Sequence, residues 1–324
     1  MGFAHRRRRF IMAKPVTITA QKAVNSNSLG DLLMKNRLIK KITSAIIVLS
    51  VFITGAATVY VCTASAAALS SQAAAIPVIV TDSMPYASFS AIKTGAALLY
   101  TNTAANANGI TVCVNAGHGT LGGEKYKTFC HPDGSAKITG GTTSSGNVKS
   151  LAISSGMVFK DGVSEASVNL KEAVILKGLL LNSGYNVLMI RESADVQLDN
   201  VARTVLANNY ADCHIALHWD STASDKGAFY GKVVNNASYK RMEPVASTWA
   251  KSDLLGECLI AGLKTAGRKI HGTGSMEMDL TQISYSTIPS VDIELGDKAS
   301  DHSDAALNSI AAGLLQGINT YYGR

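Results

Sequence analysis

Residues 111–120, TVCVNAGHGT, are the most informative part of this 324-residue chain. The β-branched run TVCV predicts a short buried strand. Gly117 and Gly119 flank His118, and glycines at these positions allow a sharp turn and a close approach to the histidine. Because open α/β sheets build their sites at the carboxyl ends of their strands, His118 is a candidate site residue. A lone histidine more often packs or caps a turn, so its role depends on its partners.

Strands and helices alternate through the rest of the sequence. The predicted strands are 186–190, 213–218, 229–234 and 291–295. A helix is predicted to begin at Glu165 and to end at Ser183-Gly184, and further helices are predicted over 198–209, 243–265 and 304–322. This alternation predicts an α/β fold, with a mostly parallel, twisted sheet flanked by helices in a single catalytic domain.

Basic residues are concentrated at the amino terminus. The formal net charge is +7, but residues 1–41 hold ten of the 30 Lys and Arg residues and only one acid. The remainder carries 20 basic and 22 acidic residues and is therefore close to neutral. We assign the basic charge to targeting and expect no nucleic-acid partner.

An apolar segment, ITSAIIVLSVFITGAATVYV at 42–61, follows Lys40 and Lys41 directly. A positively flanked apolar segment of this kind directs export. Two outcomes remain open: cleavage as a signal peptide within the small residues 63–68, or retention as a single membrane anchor, since 20 residues suffice to span a bilayer. In either case we expect the rest of the chain to lie outside the cytoplasm.

The composition divides the chain into three parts. Residues 1–68 are a basic region plus the signal peptide or anchor, and residues 69–109 are an Ala/Ser/Thr-rich spacer. We expect the spacer to be loosely ordered, with one short strand at 76–80. Residues 110–324 form the catalytic domain, which carries a polar insert at about 121–164 with a hairpin near 156–162.

Four cysteines lie in the exported part, Cys113, Cys130, Cys213 and Cys258, and their spacing forms no recognisable disulfide framework. Cys113 and Cys213 lie on predicted core strands, so we expect them to be small buried apolar residues. The disulfide state is left open by the sequence.

Four residues are predicted to meet at one rim of the sheet. His118 and His218 each end a strand, Glu165 opens the first helix, and Glu294 ends the last strand. Two histidines and one carboxylate are typical of a hydrolytic zinc site, in which the fourth position is left for water. A further carboxylate can take a proton from that water and give it to a leaving amine. Burial between Ile293 and Leu295 is expected to raise the pKa of Glu294.

The motifs around these residues carry a family resemblance. They are Gly117-His118-Gly119, Glu165 followed by Val168-Asn169-Leu170, Leu217-His218-Trp219-Asp220-Ser221, and Glu294-Leu295-Gly296. Their order, and the 53 residues from Glu165 to His218, resemble the zinc-dependent N-acetylmuramoyl-L-alanine amidases of the Amidase_3 family, which are bacterial cell-wall hydrolases. The resemblance covers roughly residues 110–324.

The resemblance implies one Zn²⁺ ion per chain at the carboxyl ends of the strands. His118, Glu165 and His218 would be its ligands, and Glu294 would be the catalytic carboxylate. The substrate would be peptidoglycan, cleaved at the amide between N-acetylmuramic acid and L-alanine. Trp219 stands where the family has a small residue, so we expect its flat face to bind substrate. Asn115 is the second candidate for substrate binding.

The resemblance also bears on location and partners. We expect the protein in the cell wall or at the outer face of the bacterial cytoplasmic membrane, held there by residues 42–61 if they are not cleaved. We expect a monomer, with a regulatory protein as a further candidate partner. The insert at 121–164 is longer than the family's usual loop and is expected to overhang the site, where it could shape substrate choice or cover the metal.

Two alternative functions remain at this stage. One is a zinc peptidase that cuts within the stem peptide. The other is a membrane-tethered cell-wall-binding or scaffold protein with a covered or silent amidase fold. The long insert favours the second alternative, and the intact set of four site residues opposes it.

Overall fold

The computed structural model describes residues 73–324 of the chain. The predicted signal peptide or anchor therefore lies outside the described residues. The strands are β1 (Ala73–Ile79), β2 (Ala96–Asn102), β3 (Thr111–Ala116), β4 (Lys127–Phe129), β5 (Lys149–Leu151), β6 (Asn186–Met189), β7 (Cys213–Asp220), β8 (Ala228–Val233), β9 (Ile270–Met278) and β10 (Ser290–Asp297). The helices are α1 (Glu165–Asn182), α2 (Asn200–Tyr210), α3 (Val245–Thr265), α4 (Thr281–Tyr285) and α5 (Asp304–Tyr321).

Eight of these strands form one mixed sheet in the order β1-β2-β6-β3-β7-β10-β8-β9. The four central strands, β6, β3, β7 and β10, are mutually parallel, and β8 and β9 are also parallel. The pairs β1/β2, β2/β6 and β8/β10 are antiparallel. The predicted α/β fold with a mostly parallel sheet is confirmed.

Helices cover both faces of the sheet. Alternate residues of β3 point to opposite faces, as the period of a strand requires. Val112 and Val114 pack into a core formed with α1, α3 and α5, whereas Cys113 packs into a second core formed with α2 and α4. This three-layer arrangement leaves the carboxyl ends of β3, β7 and β10 at one edge of the sheet, where the predicted site residues lie.

The strand predicted at 76–80 corresponds to β1, but the prediction that the rest of the spacer is loosely ordered is wrong for its described part, residues 73–109. β1 and β2 form an antiparallel pair, and β2 continues the sheet by pairing with β6. The buried carboxylate of Asp199 accepts hydrogen bonds from the backbone N–H groups of Ala91 and Ile92, which fixes the connection between the two strands. Alanine-rich strands lack the bulky alternation that identifies a strand in sequence, although Ala97 is fully buried.

None of the helices in residues 73–324 is long and apolar enough to cross a membrane. Within the same residues, all four cysteines are free, and Cys113 and Cys213 are buried. The prediction that these two cysteines are small core residues is therefore confirmed.

The insert at 121–164 is an ordered segment that begins just after His118 and ends just before Glu165. β4 and β5 form a separate two-stranded sheet within it. Its tip is fixed by Asp279, a buried carboxylate that contacts Nε2 of His131 at 3.1 Å and Nζ of Lys137 at 3.0 Å. An antiparallel bridge between Val158 and Ser164 corresponds to the predicted hairpin, after which the chain enters α1.

Candidate metal centre and active site

Three candidate metal ligands come from three different elements. His118 directly follows β3, Glu165 is the first residue of α1, and His218 lies near the end of β7. Ser164 caps α1 by accepting a hydrogen bond from the backbone N–H of Ser167, so the helix start is fixed one residue before Glu165. His118 adopts a left-handed backbone conformation with φ of 61°, which turns its ring towards the other two residues.

The three side chains converge on one point. Nε2 of His118 lies 2.8 Å from Oε1 of Glu165 and 3.0 Å from Nδ1 of His218, and Nδ1 of His218 lies 3.1 Å from the same Glu165 oxygen. Ligand atoms about 2.0 to 2.1 Å from a tetrahedral zinc ion lie about 3.3 Å apart, so these spacings fit zinc. In the described part of the chain, this is the one group of His, Cys, Asp and Glu side chains that could hold a metal.

Hydrogen bonds to neighbouring groups orient two of the three candidate ligands, His118 and Glu165. Nδ1 of His118 donates to the carbonyl oxygen of Ser154 at 2.9 Å, because a carbonyl can only accept, and Nε2 is thereby left to bind a metal. Oε2 of Glu165 accepts from the backbone N–H of Met157 at 2.8 Å, and Oε1 accepts from that of Trp219 at 3.1 Å. The returning arm of the insert therefore supports the ligands directly, while 19% of the His218 side chain stays exposed.

Gly117 is required by the approach of the neighbouring strand. A Cβ at residue 117 would lie 2.2 Å from Cε1 of His218, a distance that real side chains do not tolerate. This agrees with the expectation that a glycine beside His118 permits a close approach, although the group that approaches is the second histidine.

Two buried guanidinium groups hold the loop that carries His118. Arg203 donates to the backbone carbonyl oxygens of Ala116 and His118, at 3.1 and 2.5 Å. Arg191 donates to the carbonyl oxygen of Gly117 at 2.8 Å and, with the same nitrogen, to that of Ala166. Arg191 therefore joins the loop of His118 to the first turn of α1, which begins with Glu165.

The electrostatics of the ligand cluster are dominated by opposite charges at short range. Burial opposes the charged form of His218, but Asp292 and Glu165 outweigh it and raise the pKa of His218 to about 10. Burial likewise acts against ionised Glu165, yet hydrogen bonds from His118 and His218 hold the pKa of Glu165 well below its usual range.

Glu294 lies beside His218 on the neighbouring strand. The parallel register of β10 and β7 places Glu294 opposite His218, so both side chains project from the same face about 5 Å apart. The register breaks immediately after Glu294, and such irregularities are common next to active sites. Burial raises the pKa of Glu294 well above its usual range, and its Oε2 is buried without a hydrogen-bond partner among the described residues.

The two residues that the sequence predicted to bind substrate are both buried. Trp219 is only 2% exposed and packs against Phe159 in the core, with ring centroids 5.3 Å apart. Asn115 is 4% exposed; its amide oxygen accepts from Arg203 at 3.0 Å, and its amide nitrogen lies 3.1 Å from Nε2 of His214. Their positions do not support the prediction that they bind substrate: Trp219 follows His218 on a strand and points to the opposite face, and the amide of Asn115 is engaged by Arg203 and His214.

Sequence reasoning missed Asp292. Oδ2 of Asp292 lies 3.7 Å from Nε2 of His218, on the side of the ring that faces away from Glu165. Asp292 precedes Glu294 by two residues on the same strand, so the two carboxylates share a face. A polar residue at alternate positions of an otherwise apolar strand was the signal that could have identified it.

Comparison with known proteins identifies the family to which the chain belongs. The profile of the Amidase_3 family, described as N-acetylmuramoyl-L-alanine amidase, matches residues 112–320. The chain therefore belongs to the Amidase_3 family of N-acetylmuramoyl-L-alanine amidases, enzymes that act on peptidoglycan. No curated protein matches the chain.

Solved structures share the fold. The N-acetylmuramyl-L-alanine amidase of Mycobacterium smegmatis superposes with a TM-score of 0.53 at 17% identity, over 66% of this chain and 97% of that one. The apo form of the corresponding amidase of Mycobacterium abscessus superposes with a TM-score of 0.51 at 20% identity, over 67% and 99%.

Proposed function

We propose that this amidase is an exported zinc hydrolase that cleaves the amide between N-acetylmuramic acid and L-alanine in peptidoglycan. One observation carries the proposal: Nε2 of His118, Oε1 of Glu165 and Nδ1 of His218 lie within 3.1 Å of one another, beside the carboxylate of Glu294 on the adjacent strand. A metal-ligand trio with a neighbouring free carboxylate is the residue set of metal-assisted amide hydrolysis.

His118, Glu165 and His218 would hold the zinc ion, which would supply a Lewis acid able to polarise the scissile carbonyl and acidify water. In its ionised form, which the positive charge of a bound zinc ion would favour, Glu294 accepts a proton from the attacking water. The water oxygen forms a bond to the lactyl carbonyl carbon, and the bond from that carbon to the alanine nitrogen breaks. Glu294 returns the proton to the departing amine, so the products are a lactyl carboxylate on the glycan and a free stem peptide.

The same proposal includes the location of the protein and the number of zinc ions that it binds. The apolar segment 42–61 after Lys40 and Lys41 supports export, to the cell wall or the outer face of the cytoplasmic membrane. A single ligand trio in the described residues supports one zinc ion per chain. We further propose that the protein acts as a monomer and that its membrane contact, if residues 42–61 are retained, is this one segment.

Zinc content and product analysis on the same purified full-length protein test the proposal. We expect about one zinc per chain and released stem peptides with a new L-alanine amino terminus, while muramic acid loses its peptide. A new amino terminus elsewhere in the stem, with muramic acid still substituted, would indicate a stem peptidase instead. Tight binding to peptidoglycan without any release would indicate a scaffold protein.

A further inference from the structure

The ring of His218 lies between two carboxylates. Its Nδ1 is 3.1 Å from Oε1 of Glu165, and its Nε2 is 3.7 Å from Oδ2 of Asp292. Asp292 is not one of the three candidate metal ligands, and it is distinct from Glu294, the carboxylate with a buried, unpartnered oxygen. The two sides of the His218 ring are therefore chemically separated, with the metal position on one side and Asp292 on the other.

The alternation of β10 brings Asp292 to this position. Val291, Ile293 and Leu295 point into the core beneath α1, α3 and α5, so Asp292 and Glu294 share the opposite face. The register places Asp292 opposite Ala216, whose methyl group occupies little space beside His218 two residues further along β7. The side chain of Asp292 is 18% exposed, so its carboxylate is largely shielded from solvent while it faces the imidazole.

The two histidines have matching arrangements of outer partners. A neutral imidazole has one N–H group and one lone pair, and the partner of one nitrogen decides which nitrogen can bind a metal. Nδ1 of His118 faces the carbonyl oxygen of Ser154, which can only accept, so its Nε2 offers the lone pair. For His218, the nitrogen that faces the other ligands is Nδ1, and Nε2 faces the carboxylate of Asp292 at 3.7 Å, an ion-pair distance slightly longer than a hydrogen bond.

We propose that Asp292 is a positioning residue that keeps the proton of His218 on Nε2 and fixes the ring, so that the lone pair of Nδ1 points at the metal. This inference rests on the metal site of the proposed function. Carboxylates that hold the remote N–H of a metal-bound histidine increase metal affinity, and their loss typically costs 10- to 100-fold in affinity.

The test measures zinc affinity of the full-length protein by competition with a chromophoric chelator at a fixed neutral pH. Asp292→Asn keeps the size of the side chain and removes its charge, and we expect zinc affinity to fall about 10- to 100-fold. Asp292→Glu retains the carboxylate and should recover part of that loss. Asp225→Asn is the matched control, because it makes the same change on an exposed carboxylate, which pairs with Lys269 at 3.0 Å. We expect that control to bind zinc within about twofold of the wild type.

A second readout is the visible absorption of the Co²⁺-substituted protein, which reports the geometry of the ligands. We expect Asp292→Asn to change this spectrum while circular dichroism shows an unchanged fold. Wild-type zinc affinity and an unchanged Co²⁺ spectrum in Asp292→Asn would overturn the positioning role and leave the proposed function standing. A wild-type protein that binds no zinc, or a His218→Ala variant that binds it equally well, would overturn both proposals.

Discussion

The backbone of Gly156 lies directly against the ring of His118. A Cβ at residue 156 would be 2.6 Å from Cδ2 of His118 and 2.9 Å from Oε2 of Glu165. The glycine belongs to the arm of the insert that returns to α1, next to Met157, whose N–H group binds Glu165. The insert therefore helps to position two of the three proposed metal ligands, His118 and Glu165.

This contact predicts that Gly156→Ala reduces zinc affinity. The new methyl group must displace His118 or Glu165, so we expect a loss of at least tenfold in a chelator competition assay. Gly162→Ala is a matched control, because Gly162 has nearly the same φ, +86° against +84°, and no atom within 4 Å of an added Cβ. Both variants should lose about 1 kcal/mol or more of stability from backbone strain. An equal loss of zinc affinity in both would show that strain, not contact, is responsible.

A second prediction separates metal binding from proton transfer. Glu294→Gln should retain zinc, because Glu294 is not in the ligand trio, and should lower kcat by about 10²- to 10⁴-fold through loss of the general base. His118→Ala should lose zinc and activity together. The measurement is zinc content and stem-peptide release on each purified variant. Unchanged turnover in Glu294→Gln would exclude Glu294 as the proton acceptor.

Hydrophobic patterning predicted the elements that build the site. The helix starting at Glu165 and the strands carrying His218 and Glu294 appear where the sequence placed them, because each has a long or strongly apolar pattern bounded by a cap or turn signal. The convergence of His118, Glu165 and His218 followed from placing strand ends and a helix start on one rim of a parallel sheet.

The features that the sequence did not predict were missed for different physical reasons. β2 was missed because its apolar residues form a short continuous run, AALLY at 96–100, which does not alternate and cannot be distinguished from a helical segment by periodicity, although its pairing with β6 fixes it in the sheet. Trp219 was predicted to bind substrate because it offers a flat aromatic face where the family has a small residue, whereas strand alternation sends its ring to the face opposite His218. The contact of Ser154 with His118 depends on the path of the long insert, which no local pattern encodes.

The buried position of Arg191 predicts a loss of both stability and zinc affinity in Arg191→Met. The variant leaves the carbonyl oxygens of Gly117 and Ala166 without this donor, and buried unsatisfied groups cost about 1–3 kcal/mol each. We therefore expect a loss of about 3 kcal/mol or more in urea unfolding, and weaker zinc binding because the His118 loop is no longer tied to α1. Arg241→Met is the control, since Arg241 is exposed. Wild-type zinc affinity in Arg191→Met would show that the loop holds its geometry without this tie.

The contacts of Asp279 anchor the insert, and we expect their contribution to the free energy of unfolding to depend on pH. Although burial opposes ionisation, hydrogen bonds from His131, Ile138 and Thr139 hold the pKa of Asp279 well below its usual range. A carboxylate whose pKa is lower in the folded state stabilises the fold at pH values above its unfolded pKa of about 3.9, and this contribution is lost as the pH falls from there towards the folded pKa.

Asp279→Asn should therefore destabilise the protein at pH 7, by roughly 3–5 kcal/mol as for other broken buried ion pairs. The difference from the wild type should narrow progressively as the pH is lowered below about 4, because the wild-type carboxylate then begins to bind a proton. Urea unfolding at pH 7, 5, 4 and 3 measures this difference. Asp225→Asn, which removes an exposed partner of Lys269, should cost less than about 1 kcal/mol throughout. A stability difference for Asp279→Asn that stays constant down to pH 3 would mean that the ionised carboxylate is not what holds the insert.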